Sequence, residues 1–255
     1  MVLTLKNTFM KSIKVSVHLP ESWQELTDNQ LYYLYGLLAD NLSSTQIKTY
    51  CFFRWTGLKV FNQYGDGWEI SQGKNRGYIH PGVIAAALHI LDWIDELPDT
   101  PVRISKIKGA SAVNATLQDF SFEKYLYCDN LYQGYLEKQN HTLLVEMARL
   151  LYDCESININ QAEKMSVFYW WASVKSLFSR TFCHFLTPMS TDNVIEGGLS
   201  LAQKLQSAMN AQIRALTGGD ITKRRQVLEM DVWTAMWELD AKAEEYNEIK
   251  RKYGK

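Results

Sequence analysis

Apolar residues recur every three or four positions along most of this chain, and every second position in only a few short stretches. The first spacing predicts helices and the second half-buried strands. Ile13, Val15, Val17 and Leu19 alternate with polar residues, so residues 12–19 read as a strand closed by Pro20. Thr27-Asp28-Asn29-Gln30 and Ser43-Ser44-Thr45-Gln46 are capping-box signatures, each followed by helical spacing. Leu31, Leu34, Tyr35 and Leu38 follow the first box; Ile47, Tyr50, Cys51 and Trp55 follow the second, and Gly57 is placed to end that helix. Residues 58–80 change character, with Gly65-Asp66-Gly67, Gly73 and Gly77 between short apolar runs, and predict strands joined by glycine turns. A third helix is expected over 82–96, and Val102, Ile104 and Ile107 predict one more strand.

From Phe122 onward the spacing is helical to the end, with helices expected near 121–138, 141–153, 161–186, 199–216 and 224–252. The 161–186 segment carries Phe168, Tyr169, Trp170, Trp171, Phe178, Phe182 and Phe185, pointing around nearly the whole axis, the mark of a helix enclosed by others. The expected class is mainly α. A small α+β region with a short sheet (1–110) precedes a helical core (111–187), a polar linker (188–198) and a C-terminal helical hairpin (199–255).

The last helix has a narrower pattern. Val232, Met236, Leu239, Ala243 and Tyr246 recur at alternating steps of four and three, while Lys242, Glu244, Glu245 and Glu248 take much of the remaining surface. Such a seam docks on one or two helices, in the same domain or in another protein, and these five residues are the candidate partner-binding set.

Composition removes several classes of function. With 255 residues and 46% hydrophobic content the chain can bury a good core. Its net charge of −1 provides no general attraction for nucleic acid or an anionic membrane. No run of about 18 uncharged apolar residues is present and Lys6, Lys11 and Lys14 interrupt the N-terminus, so a cytoplasmic protein without a signal peptide is expected. The four cysteines (Cys51, Cys128, Cys154, Cys183) are widely spaced and read as reduced thiols, buried where they sit among aromatics.

Candidate chemistry is sparse. The five histidines are scattered without metal-ligand spacing, and Cys183-His184 are neighbours whose side chains would diverge by about 100° on a helix. Gly109-Ala110-Ser111-Ala112-Val113 lacks the second glycine of a nucleophile elbow, and no phosphate-binding glycine loop occurs. Asp92, Asp95, Glu96 and Asp99 gather where the third helix ends, and with the distant Glu248-Ile249-Lys250 they outline a metal-dependent nuclease. Solvated helix-end charges explain them more simply. Lys48, Tyr50, Phe52, Phe53, Arg54, Trp55 and Lys59 mix cations with aromatics as a single-strand platform would, but on a helix they spread over several faces. Lys223-Arg224-Arg225 lies at a helix start, unfavourable for cations, and hints at an anionic partner. No catalytic residue, metal ligand or cofactor is expected.

Three blocks carry a resemblance: Leu19-Pro20-Glu21-Ser22-Trp23 with Glu25-Leu26-Thr27; Phe122-Glu123-Lys124-Tyr125-Leu126 leading to Asn130-Leu131-Tyr132-Gln133-Gly134-Tyr135; and Met209 to Thr217 with Gly219-Asp220, Trp233 and Leu239. Together with Val167-Phe168-Tyr169-Trp170, they resemble a family of mostly uncharacterised proteins encoded in tailed phages and prophages of gut bacteria. The resemblance implies a non-enzymatic structural or assembly role, more specifically a tail assembly chaperone acting on the tape-measure protein. A virion component such as a head–tail connector is the alternative, and the nuclease the second alternative. Partners are expected to be a phage tail or other virion protein, or a second copy of the chain; a membrane and nucleic acid are not expected.

Overall fold

Two capping boxes set the first helices. In the computed structural model, which describes residues 2–6, 12–40, 42–64, 67–73, 75–186 and 200–253, Thr27 and Gln30 cap α1 (Asp28–Ala39) reciprocally, and Ser43 and Gln46 do the same for α2 (Ser44–Thr56). Gly57, at φ +69°, ends α2 in the left-handed region, where a residue without Cβ is unstrained. Five antiparallel strands follow the order β2-β1-β5-β4-β3: β1 (Val2–Lys6), β2 (Ser12–Ser16), β3 (Lys59–Tyr64), β4 (Gly67–Gln72) and β5 (Asn75–Ile79). The Tyr78 ring fills the space a side chain on Gly67 would need, so the glycine there is a packing requirement.

Helix α3 is shorter than its apolar spacing predicts. It covers Pro81–Leu88, and His89–Asp95 tightens into a 3-10 turn. That turn places Trp93 at the centre of an indole cluster. Trp23 donates from Nε1 to the carbonyls of Trp93 and Glu96 at 3.1 and 2.9 Å, and Trp93 donates back to the Pro20 carbonyl at 3.2 Å. Trp55 stacks on Trp93 with 5° between planes. The Pro20–Trp23 block is therefore tied to the turn after α3 by reciprocal hydrogen bonds as well as by ring contact.

By its internal contacts the chain divides into two compact units: Met1–Pro98 with Gln161–Ser166, and Asp99–Asn160 with Val167–Lys255. The short ladder of β6 (Lys106–Ile107) and β7 (Ala110–Ser111), which straddles the boundary expected after residue 110, belongs to the second unit. The strand expected across 102–107 is reduced to those two residues. Its neighbours are held by side chains instead: Tyr152 donates to the Ile104 carbonyl at 2.7 Å, and Arg103 donates to the Val113 carbonyl at 2.6 Å.

The second unit is helical: α4 (Phe122–Lys138), α5 (His141–Leu151), most of α6 (Gln161–Thr181), α7 (Leu201–Thr217), α8 (Arg224–Glu229) and α9 (Val232–Tyr253). As its sequence predicts, α6 is a core helix; Val167, Trp170, Trp171, Val174 and Phe178 have no exposed surface, and neither does Phe182 just beyond its end. Aromatic contacts join it to its neighbours, Tyr125 of α4 lying 5.5 Å from both Trp171 and Phe178, and Trp233 of α9 lying 5.1 Å from Phe178. The polar linker expected at 188–198 lies outside the described residues.

Two helix ends depart from their sequence patterns for identifiable reasons. α6 ends at Thr181 because the buried carboxylate of Asp240 accepts the backbone N–H groups of His184 and Phe185, both at 2.9 Å, and turns the chain. The single helix expected over 224–252 is two helices. Met230 is extended, its carbonyl accepts the Phe122 N–H, and the Val232 N–H donates to the Phe120 carbonyl, both at 2.9 Å. This backbone stitch between the starts of α4 and α9 breaks the helix, and Asp231 caps the new one by accepting from Trp233 and Thr234.

Candidate partner-binding surface

Helix α7 is amphipathic but only partly covered. Its apolar stripe, Leu201, Leu205, Met209, Ile213 and Leu216, repeats at steps of four and three, yet only Ile213 is fully buried. Below Met209 and Ile213 the helix leaves a groove of about 360 Å³, floored by Leu126 of α4 and Leu150 of α5 and closed by Leu228 of α8. Tyr127 stands half-exposed at its edge, and Glu123, Lys124, Asn130 and Arg224 form a polar rim. A second recess of about 400 Å³ shares Ile213 and Arg224 and continues past Thr217, Gly219 and Ile221. An apolar floor with charges confined to the rim is the lining that receives the apolar face of a helix.

The five-residue seam read from α9 does not lie on one free surface. Val232, Met236 and Leu239 are buried in their own unit, Ala243 is half-buried and Tyr246 is exposed. The first turns of α9 dock beside α4 and α7, so three of those residues are core and unavailable to a partner. The stripe emerges into solvent only beyond Leu239.

The acidic group beside α3 is organised by a lysine. Lys48, whose side chain is 9% exposed, bonds Asp92 at 2.6 Å and Asp95 at 2.5 Å. Ser44 donates to Asp95 at 2.5 Å, and His89 meets Asp92 at 3.1 Å. Burial works against the charge on Lys48, but the hydrogen bonds to Asp92 and Asp95 outweigh it and raise its pKa. The Lys48 and His89 hydrogen bonds hold the Asp92 carboxyl below its ordinary range. The two carboxylates are thus neutralised in an ion-pair network. Glu96 is exposed with its carbonyl on Trp23, and Asp99, in the other unit, pairs with Arg180 at 3.2 Å. Among the described residues no three His, Cys, Asp or Glu side chains are placed to hold a metal ion.

Phe52 is buried, Arg54 lies over the Tyr33 ring at 5.5 Å, and Trp55 stacks on Trp93, so the cation–aromatic mixture in α2 faces several ways and forms no continuous platform. Lys223 pairs with Asp220 and Arg225 with Glu229, which leaves Arg224 as the member of that basic triplet on the groove rim. Cys51 and Cys128 are buried thiols whose pKa burial raises, that of Cys51 to about 12. Contrary to its aromatic surroundings in sequence, Cys183 is exposed, because α6 has already ended. His184 sits in the same turn, 3.7 Å from Glu244.

Of the blocks that carry the sequence resemblance, the first ties Trp23 to the turn after α3, the second supplies the buried face of α4 and also the groove residues Glu123, Lys124, Leu126 and Asn130, and the third supplies Met209 and Ile213 opposite them. Among the described residues no helix is long and apolar enough to cross a membrane. No protein-family profile, curated protein or solved structure matches the chain.

Proposed function

We propose that this chain is a non-enzymatic assembly protein of a tailed phage or prophage, a tail assembly chaperone whose α4–α5–α7–α8 groove receives an apolar helical segment of the tape-measure protein. The groove carries the reading: an open apolar trough of about 360 Å³ beside a half-covered amphipathic helix. A tape-measure protein is long, helical and apolar, and its stripes need cover until the tail tube closes around it. A trough of this size takes two or three side chains of a guest helix, contacts modest enough to release when the tube assembles.

Co-expression with the tape-measure protein of the same phage tests the proposal. The wild-type chain should raise the soluble fraction of that protein and co-purify with it. Met209→Lys, which puts a charge into the groove at a half-buried position, should abolish both effects while leaving the circular dichroism of the chain unchanged. Unchanged tape-measure solubility with the wild-type chain refutes the reading. Recovery of the chain from purified virions points instead to a structural component such as a connector.

A further inference from the structure

Beyond Leu239, α9 runs on for about four turns, and its inward stripe becomes an outward one. Tyr246, Ile249 and Tyr253, spaced by three and four, are 66%, 58% and 81% exposed. We propose that this end of α9 pairs with the same segment of a second copy, antiparallel, to form a symmetric dimer. The charges that flank the stripe select a second copy as the partner. With Tyr246 and Tyr253 as one core position of a heptad, Ile249 and Lys242 are the other, Glu245 and Lys252 occupy one flank, and Ala243 and Lys250 the other.

In an antiparallel pair each flank meets the same flank of the partner. The register that places Tyr246 against Ile249 of the second copy brings Glu245 to Lys252, and symmetry forms that pair twice. The same register lays Lys250 over the small Ala243 and sets Lys242 against the Tyr253 ring, a cation on an aromatic face. Lys242 and Lys252 already lie along the helix toward Glu238 (2.8 Å) and Glu248 (3.7 Å), so each ammonium sits in a negative surround. A parallel pair would oppose Lys242 to Lys242 and crowd two Lys250-Arg251-Lys252 turns together. A parallel pair also matches Glu245 with Lys250, but its opposed Lys242 side chains and adjacent basic ends leave the antiparallel orientation favoured by charge.

The overlap is short, well under the roughly 1,200 Å² of a stable interface, so the dimer is concentration-dependent and weakened by salt. Sedimentation velocity on the full chain tests it. Mass should rise from 29.5 kDa toward twice that value with concentration, and Ile249→Glu should remove the rise. Glu245→Lys and Lys252→Glu should each weaken association about tenfold, and the two together should restore it, since the pair re-forms with its signs exchanged. A chain that stays monomeric up to ~1 mM, or a dimer indifferent to Ile249→Glu, overturns the proposal; so does failure of the double variant to recover. If Ile249→Glu instead abolishes tape-measure binding by a monomeric chain, the stripe belongs to that partner and the dimer proposal fails. All of these substitutions lie outside the groove, so the two readings fail separately.

Discussion

Lys48 is the residue whose environment makes the sharpest demand. A nearly buried cation bonded to two carboxylates leaves a pH signature of known sign. The Asp92 pKa is lowered in the folded state, so its contribution to stability is present above the unfolded value, about 3.9, and disappears as pH falls through the folded value. Lys48, with its pKa raised, contributes below its unfolded value and loses that contribution as pH rises through the folded one. Urea midpoints measured across pH should therefore fall at both the acid and the strongly alkaline ends. In Lys48→Met both slopes should flatten. Because Asp92 and Asp95 are 56% and 45% exposed, they regain water in that variant, and the loss at neutral pH should be small. Asp240 is a harder case. Its carboxylate is buried and holds two backbone N–H groups, so Asp240→Ala strands both donors and should cost about 1–3 kcal/mol in a denaturant titration.

Among the elements, those with local determinants are legible in the sequence. α1 and α2 are written in their capping boxes and in Gly57, and α4, α5 and α6 in uninterrupted apolar spacing. Departures arise where a distant partner decides the backbone. The α8–α9 break is set by Phe120 and Phe122, more than a hundred positions away, although Asp231 ahead of Val232 is a local cap signal that apolar spacing masks. Asp231→Ala should cost about 1 kcal/mol. Asp231→Asn, which keeps the accepting oxygen and places an NH2 where Oδ2 is buried without a partner among the described residues, should be close to neutral. Thermal unfolding of the two variants separates capping from charge. α3 shortens for a similar reason: the 3-10 turn after Leu88 lets Trp93 reach Pro20 and Trp55, contacts that no periodicity encodes.

For the molecule as a whole, fold class is readable in the sequence and the candidate site is not. Heptad spacing marks α9 as a binding seam because it is regular, but regular spacing does not distinguish a stripe buried at home from one offered to a partner. Val232, Met236 and Leu239 are buried in their own unit, whereas Tyr246, Ile249 and Tyr253 are exposed. The groove is assembled from four helices separated by as many as a hundred residues, and its one sequence trace is the stripe on α7, apolar along a helix that the fold covers on only part of its length.

Hydrogen exchange of the chain, alone and with a soluble tape-measure segment bound, reads out directly whether the groove is the surface that is covered. Protection should be gained along residues 123–130, 209–213 and 224–228, the groove-lining parts of α4, α7 and α8. Protection confined to other surfaces, or none despite binding, would contradict it.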